Sequence, residues 1–413
     1  MHSAGTIRNT EFRSNIAPVG PRVGWTRRAA ALALCALTVA LASALITARP
    51  AYAQTESVLH SFGVNDTDGY NPYSGLVTDT LGNLYGTNYV GGSGYGTVFK
   101  ITPSGTLSVL HSFGRADGAN PYLSKMVRDK AGNLYGTTIA GGANDIGTVF
   151  KVTPTGVETV LHSFASDGKD GYRPYTGLAI DGAGNLYGTT YSGGASNYGT
   201  VFKVTPSGTE TVVYSFKGGT DGCNPYGNSV VLRNGFLYGA TAGCGAHAVG
   251  TVFKLTKTGT ETVLHSFAND GVDGFTPYAG LVFDKLGNLY GTTYVGGVNG
   301  YGTVFKITPS GTETVLHSFA FDGTDGFNPY AGLVLDKLGN FYGTTVLGGV
   351  NNLGTAFKLT PAGTLSVLHS FANDGTDGFY PFAGLVLGKK GILYGATYEG
   401  GSLGYGTVFK IVP

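Results

Sequence analysis

Pro277-Tyr-Ala-Gly-Leu-Val-Phe-Asp284, Lys285-Leu-Gly-Asn288, Leu289-Tyr-Gly-Thr-Thr293, Tyr294-Val-Gly-Gly-Val-Asn-Gly-Tyr301, Gly302-Thr-Val-Phe-Lys-Ile-Thr308, Pro309-Ser-Gly311 and Thr312-Glu-Thr-Val-Leu-His-Ser-Phe319 are consecutive pieces of one stretch, and they decide the fold. Four short runs of Val, Leu, Thr, Tyr and Phe are separated by Gly, Asn, Asp and Pro, the residues that tight turns require. The runs are strands A (Gly-Leu-Val-x-Asp), B (Asn-Leu-Tyr-Gly-Thr), C (Gly-Thr-Val-Phe-Lys) and D (Thr-Val-Leu-His-Ser-Phe). Asp-Lys-Leu-Gly-Asn and Thr-Pro-Ser-Gly-Thr read as hairpin connections between them.

The same unit recurs along the chain. Its Tyr-Gly pair falls at Tyr85, Tyr135, Tyr187, Tyr238, Tyr290, Tyr342 and Tyr394, with spacings of 50, 52, 51, 52, 52 and 52. Four strands per unit, seven times over, predict an all-β, seven-bladed β-propeller with four antiparallel strands per blade. One such sheet cannot bury both faces alone, whereas radial stacking covers each face with a neighbour. A parallel β-helix fits less well, having shorter coils and no tight antiparallel turns. The blades span approximately 72–113, 121–164, 174–216, 225–267, 277–319, 329–371 and 381–413. Ser57-Val-Leu-His-Ser-Phe62 is a D strand with no blade before it, and Gly406-Thr-Val-Phe-Lys-Ile-Val-Pro413 is a C strand with no D strand after it. Residues 55–62 are therefore expected to complete the last blade, one strand joining three, which removes the open edges of an unclosed array.

Composition agrees with a turn-dense fold. Seventy of 413 residues are glycine, against a usual share of about 7%. Charged residues make up 12%, about half the usual share. The N-terminus is different in kind. Arg27 and Arg28 precede an apolar run from Ala29 to Ile46, and Ala51-Tyr52-Ala53 supplies a small-residue cleavage site. Residues 1–53 read as a signal peptide and 54–413 as the propeller; an uncleaved anchor is the competing reading of the apolar run. Without residues 1–53, 20 basic face 24 acidic side chains, a net charge of about −4. With no basic stripe to contact phosphates, nucleic-acid binding is disfavoured.

Leu-Tyr-Gly-Thr-Thr…Gly-Gly…Gly-Thr-Val-Phe-Lys-hydrophobic-Thr-Pro-x-Gly, carried seven times across residues 54–413, resembles the repeat of the gloeo/verruco (GloVer) family of exported bacterial tandem-repeat proteins. The resemblance implies export and a propeller-like repeat, and it supplies no active site. Members carry varied C-terminal anchoring or sorting segments. This sequence departs from them by stopping at Pro413 directly after its last strand, so no C-terminal anchor is expected.

Alternating strand directions put the D–A and B–C connections at one end of the ring. These are the longer connections, and loops on a rigid scaffold are where function usually sits. Each D–A connection delivers an aromatic after proline: Tyr73, Tyr122, Tyr175, Tyr226, Tyr278, Tyr330 and Phe382. Together with Tyr95, Tyr198, Tyr301 and Tyr405 of the B–C connections, these could stack on sugar rings or peptide side chains. The competing reading is blade-to-blade packing, favoured because the ring is present in every blade. Asp270/Asp273, Asp322/Asp325 and Asp374/Asp377 repeat an Asp-x-x-Asp-Gly pattern, also seen at Asp167/Asp170. Two carboxylates with turn carbonyls suit Ca²⁺, but capping of the turn's N–H groups is preferred, since further ligands are missing. His60, His111, His162, His265, His317 and His369 repeat on D strands, too far apart around a ring to converge on one substrate, and read as structural hydrogen-bonding groups.

Residues that break the repeat are more informative. Arg173, Glu399, Arg115, Asp145 and His247 fall in long connections, and Lys125 falls in a strand A one residue longer than most. No pair of them is assignable as acid and base from spacing, and no H-E-x-x-H, G-x-S-x-G or phosphate-loop pattern occurs. Cys223 and Cys244 sit in the D–A and B–C connections of the fourth unit, so a disulfide between them is expected in an exported protein. The reading is of a non-enzymatic, monomeric binding or scaffold module, periplasmic or extracellular, with no cofactor and no membrane span after signal cleavage. It uses Tyr73, Tyr122, Tyr175, Tyr226, Tyr278, Tyr330, Phe382, Arg173 and Glu399 of the long-loop face for a glycan or protein ligand. The alternatives are a carbohydrate-active propeller enzyme using acids such as Glu399 and Asp145, and a purely structural envelope or surface protein.

Overall fold

Each Tyr-Gly pair lies in the second strand of a four-stranded antiparallel sheet, and seven such sheets form a seven-bladed β-propeller. The computed structural model describes residues 55–123, 125–227 and 230–412; the signal-peptide reading of 1–53 lies outside them. In the fifth blade the strands are Val282–Phe283, Leu289–Thr293, Thr303–Ile307 and Glu313–Ser318, hydrogen-bonded in the order A-B-C-D. No helix among the described residues is long and apolar enough to cross a membrane.

The C–D pairing of the fifth blade shifts register between Val304 and Phe305, which leaves Leu316 as a bulge. The other blades carry the same shift, including the one that borrows the N-terminal strand. A bulge bends and twists an outer strand, and here it also turns a carbonyl towards the next blade. A Cβ on Gly363 would lie 2.6 Å from the Leu316 oxygen, so the Pro-x-Gly turn of one blade nests on the bulge of the one before. Gly311 sits on Leu264 in the same way.

The core lies between blades. Leu281, Leu289, Phe305 and Ile307 of the fifth blade pack with Ala240, Val252 and Phe267 of the fourth. The phenylalanine that follows each D strand meets the strand C phenylalanine of the following blade, edge-on in Phe267–Phe305 at 5.2 Å and Phe319–Phe357 at 5.3 Å between ring centroids. Such tilted contacts add about 0.5–1.5 kcal/mol beyond burial. The ring closes by the same device. Thr55–Ser61 pairs with Thr407–Val412, with Thr55 opposite Val412 and Ser61 opposite Thr407, and Phe62 reaches Phe99 at 5.1 Å.

Candidate functional site

The connections of the long-loop face are not free loops. Gly274–Phe275 pairs with Val295–Gly296, and Gly171–Tyr172, Gly326–Phe327 and Gly378–Phe379 pair likewise with Ser192–Gly193, Leu347–Gly348 and Glu399–Gly400. In the other three blades a single bridge does the same, at Tyr70–Val90, Ala119–Ala140 and Cys223–Gly243. A two-residue pairing is too short for alternation to register in a sequence. Its effect is a face whose D–A and B–C connections are tied together in every blade.

The aspartates build these connections. Asp270 Oδ1 accepts the backbone N–H groups of Val272 and Asp273, each at 2.9 Å. Asp322 and Asp374 accept the matching pairs. The second aspartate turns outward to histidine: Asp273, Asp325 and Asp377 Oδ2 lie 3.0, 3.0 and 2.7 Å from Nε2 of His265, His317 and His369. The two carboxylates of each Asp-x-x-Asp pattern thus serve different partners.

At the axis the seven post-proline rings close into a rosette. Tyr73 meets Tyr122 at 4.5 Å and Phe382 at 4.8 Å. Tyr226 meets Tyr175 at 5.1 Å and Tyr278 at 4.9 Å, and its hydroxyl lies 3.2 Å from that of Tyr122. Tyr330 is flanked by Tyr278 and Phe382. Burial first, then neighbouring tyrosines, push the phenols of Tyr73, Tyr226 and Tyr330 well above their ordinary range. Tyr95, Tyr198, Tyr301 and Tyr405 do not join them; Tyr301 packs on Phe321 and Phe327, and Tyr405 on Tyr70.

A second tier, absent from the sequence reading, contacts the rosette. Tyr89, Tyr191, Tyr294 and Tyr398, each directly after a B strand, lie half-buried against Tyr73, Tyr175, Tyr278 and Phe382 at 5.3–6.0 Å. The second, fourth and sixth blades have Ile139, Ala242 and Val346 there. The tier therefore breaks the seven-fold pattern, and the signal was an alternation between units that the shared repeat hides.

Backbone strain follows the same alternation. The residue before each post-strand-D proline adopts the left-handed conformation in all seven blades, with φ between 53° and 59°. Four of these residues are asparagine, which tolerates that region. Asn71, Asn120, Asn224 and Asn328 each donate a side-chain N–H to the carbonyl of a second-tier tyrosine in the preceding blade, Tyr398, Tyr89, Tyr191 and Tyr294, at 2.8–3.1 Å. The other three are Arg173, Thr276 and Tyr380, side chains without that relief. Arg173 is exposed; Glu399 is half-buried in its short pairing with Phe379. Arg115 and Asp145 hydrogen-bond to each other across the second blade, an exposed pair of small energetic weight.

Beneath the rosette runs a cavity of about 380 Å³, lined by strand A residues including Met126, Val127, Leu178, Val231, Leu281 and Val334. Gly75, Gly280, Gly332 and Gly384 line it in four blades, and Lys125 lines it in the second. The lysine lies against Gly75 and reaches solvent inside the channel, where surrounding protein lowers its amine below the usual lysine range by desolvation.

A family model describing the Gloeobacter/Verrucomicrobia repeat matches residues 44–181 and 179–409. The chain belongs to the Gloeobacter/Verrucomicrobia repeat family. Among solved structures it is similar to the extracellular domain of a protein assigned as a one-component system in B. thetaiotaomicron, at 12% identity with a TM-score of 0.53. That match covers 86% of this chain and 40% of the other, so the chain spans less than half of that protein's length, and the likeness is one of fold. No curated protein matches the chain significantly.

Within this Gloeobacter/Verrucomicrobia repeat array, the fourth unit alone carries a covalent tie. Cys223 and Cys244 are disulfide-bonded across the D–A and B–C connections, 21 residues apart. Cys244 occupies a left-handed position, φ 60°, that is glycine in the fifth blade, at Gly296. Replacing both cysteines with serine is expected to lower stability by about 3 kcal/mol on the chain-entropy account. Urea titration of the oxidised protein and the double variant measures it; superimposable curves would show that the short pairings alone hold the loops.

Proposed function

We propose that the protein is an exported, non-enzymatic binding module that holds a glycan on its long-loop face. The observation that carries this reading is the asymmetric second tier of half-buried tyrosines, Tyr89, Tyr191, Tyr294 and Tyr398, set on a packed aromatic floor. Flat rings with hydroxyl tips and few charges suit the apolar faces and hydroxyl edges of sugars better than a charged partner. The rosette itself is mainly floor, because its rings spend their faces on one another. Arg173 supports the same surface: it holds a strained backbone conformation where four other blades use asparagine, and such strain clusters at functional positions. The disulfide and the N-terminal apolar segment support export to an oxidising compartment.

A glycan array with the full mature chain, followed by calorimetric titration of any hit, tests the proposal. Tyr89→Ala and Tyr398→Ala are expected to weaken binding about tenfold or more while the melting temperature stays close to that of the parent. Arg173→Asn is expected to raise stability by about 0.5–1 kcal/mol through relief of the left-handed residue, and to weaken binding. An array with no hit, or affinities indifferent to all three changes, would reject the glycan. Capture of a protein partner that the same variants disrupt would transfer the face to a protein ligand.

A further inference from the structure

The outer clefts between neighbouring blades gather metal-ligating side chains that the sequence places in different repeats. In three of them a histidine and an aspartate of one blade meet a glutamate that begins the D strand of the next: His111, Asp117 and Glu158; His162, Asp170 and Glu210; and His369, Asp377 and Glu56. Their ligand atoms lie within 4.8 Å of one another in each cleft. The histidine and aspartate are already close, with Nε2 to Oδ2 distances of 3.0, 2.9 and 2.7 Å. That is about the spacing of two ligands on one small cation at roughly 2.0–2.2 Å from each.

The glutamates are what a mere histidine–aspartate hydrogen bond leaves unexplained. Oε1 of Glu56, Glu158 and Glu210 is shielded from solvent and has no hydrogen-bond partner among the described residues, a state shared by Glu261 and Glu313, which begin the D strands of the fourth and fifth blades. A buried carboxylate oxygen aimed at a second carboxylate costs free energy unless something positive joins them.

We propose that these three clefts are divalent transition-metal sites, each taking an ion such as Zn²⁺ between one imidazole and two carboxylates drawn from adjacent blades. On binding, Nε2 gives up its proton, to solvent from the imidazolium or to Nδ1 from the neutral Nε2–H tautomer, and any proton on the glutamate passes to solvent, leaving the neutral Nδ1–H tautomer and two carboxylates as ligands. The aspartates are already oriented by backbone donors: Oδ1 of Asp117, Asp170 and Asp377 accepts from Gly114, Gly171 and Gly378 at 2.7, 2.6 and 2.7 Å, the outer support that ligating carboxylates need. The cleft with Glu56 gives the metal a structural task, because Glu56 belongs to the closing strand Thr55–Ser61. An ion there would pin the end of the ring to the sixth blade.

The chain contains its own control. Between the fifth and sixth blades His317 and Asp325 pair at 3.0 Å, yet Leu365 stands where those three clefts have glutamate, lining the same cleft. Full-length mature protein stripped with a chelator and titrated with ZnCl₂ is expected to take up an ion in each of the three clefts, read by calorimetry and elemental analysis, with a rise in melting temperature. Glu56→Gln, Glu158→Gln and Glu210→Gln combined keep size and shape and are expected to reduce the uptake by three. Leu365→Glu is expected to add one ion. No uptake by the parent protein overturns the proposal whether or not the variants fold; uptake that the triple variant leaves unchanged, or reduces by fewer than three, overturns it too.

Discussion

A mature chain lacking residues 55–62 is expected to lose the cooperative thermal transition of the intact ring and to aggregate from a partly folded state. Thr55–Ser61 supplies the whole outer strand of the last blade, paired from Thr55–Val412 to Ser61–Thr407. Phe62, fully buried, fills the seam between the last blade and the first, packing with Leu76, Leu84 and Phe99 of the first blade and Ala383, Ala396 and Val408 of the last. Loss of a buried phenylalanine alone costs about 3–5 kcal/mol. The deletion also removes a strand of hydrogen bonds and bares the edge of Thr407–Val412, a template for pairing with another chain. A domain whose total stability is on the order of 5–15 kcal/mol does not absorb that sum. Calorimetry of the two proteins side by side decides it, and an unchanged melting temperature would mean that the ring does not depend on its first strand.

This closure was legible because it follows from counting: a D strand before the first A strand and a C strand after the last leave one arrangement with no open edge. The blade number was legible for a similar reason, since Tyr-Gly recurs wherever a strand must pass beneath a ring. The working surface was harder to read. The belt of two-residue pairings is too short to carry a period, and the second tier of Tyr89, Tyr191, Tyr294 and Tyr398 alternates between blades while its flanking Thr-Thr and Gly-Gly stay nearly constant. The outer clefts were illegible for a geometric reason. Glu158 follows His111 by 47 positions, and nothing in either repeat says that the D strand of one blade opens against the end of its neighbour. Three of the histidines that cannot converge around the ring, His111, His162 and His369, still meet a glutamate from next door. Lys125 was visible as an irregularity, but its place inside the channel depends on strand A being innermost.

The second large effect is expected at the glycine of the Tyr-Gly pair, and it shows why that pair marks the repeat so clearly. Gly291 is not there for a left-handed backbone; it sits mid-strand opposite Phe305. A Cβ added to it would lie 2.6 Å from Phe305 Cζ and 2.9 Å from Leu281 Cδ2. The Phe305 ring therefore lies across the glycine, and its edge is free to meet Phe267 of the blade before. The same distance at Gly86, Gly136, Gly188, Gly239, Gly343 and Gly395 runs from 2.4 to 2.7 Å, always to the strand C phenylalanine. Removing the ring by Phe305→Ala is expected to cost about 3–5 kcal/mol as an unfilled core site, and Gly291→Ala about 1–3 kcal/mol as overpacking. The two sites are one device, so their effects are not expected to add. Phe305→Leu shortens the side chain that Gly291→Ala would strike, and the pair together should be less damaging than the sum of the singles by about 0.5–3 kcal/mol. Chemical denaturation of the three variants and the parent measures this coupling. A cycle that closes to zero would mean that the glycine is kept for some reason other than the ring above it.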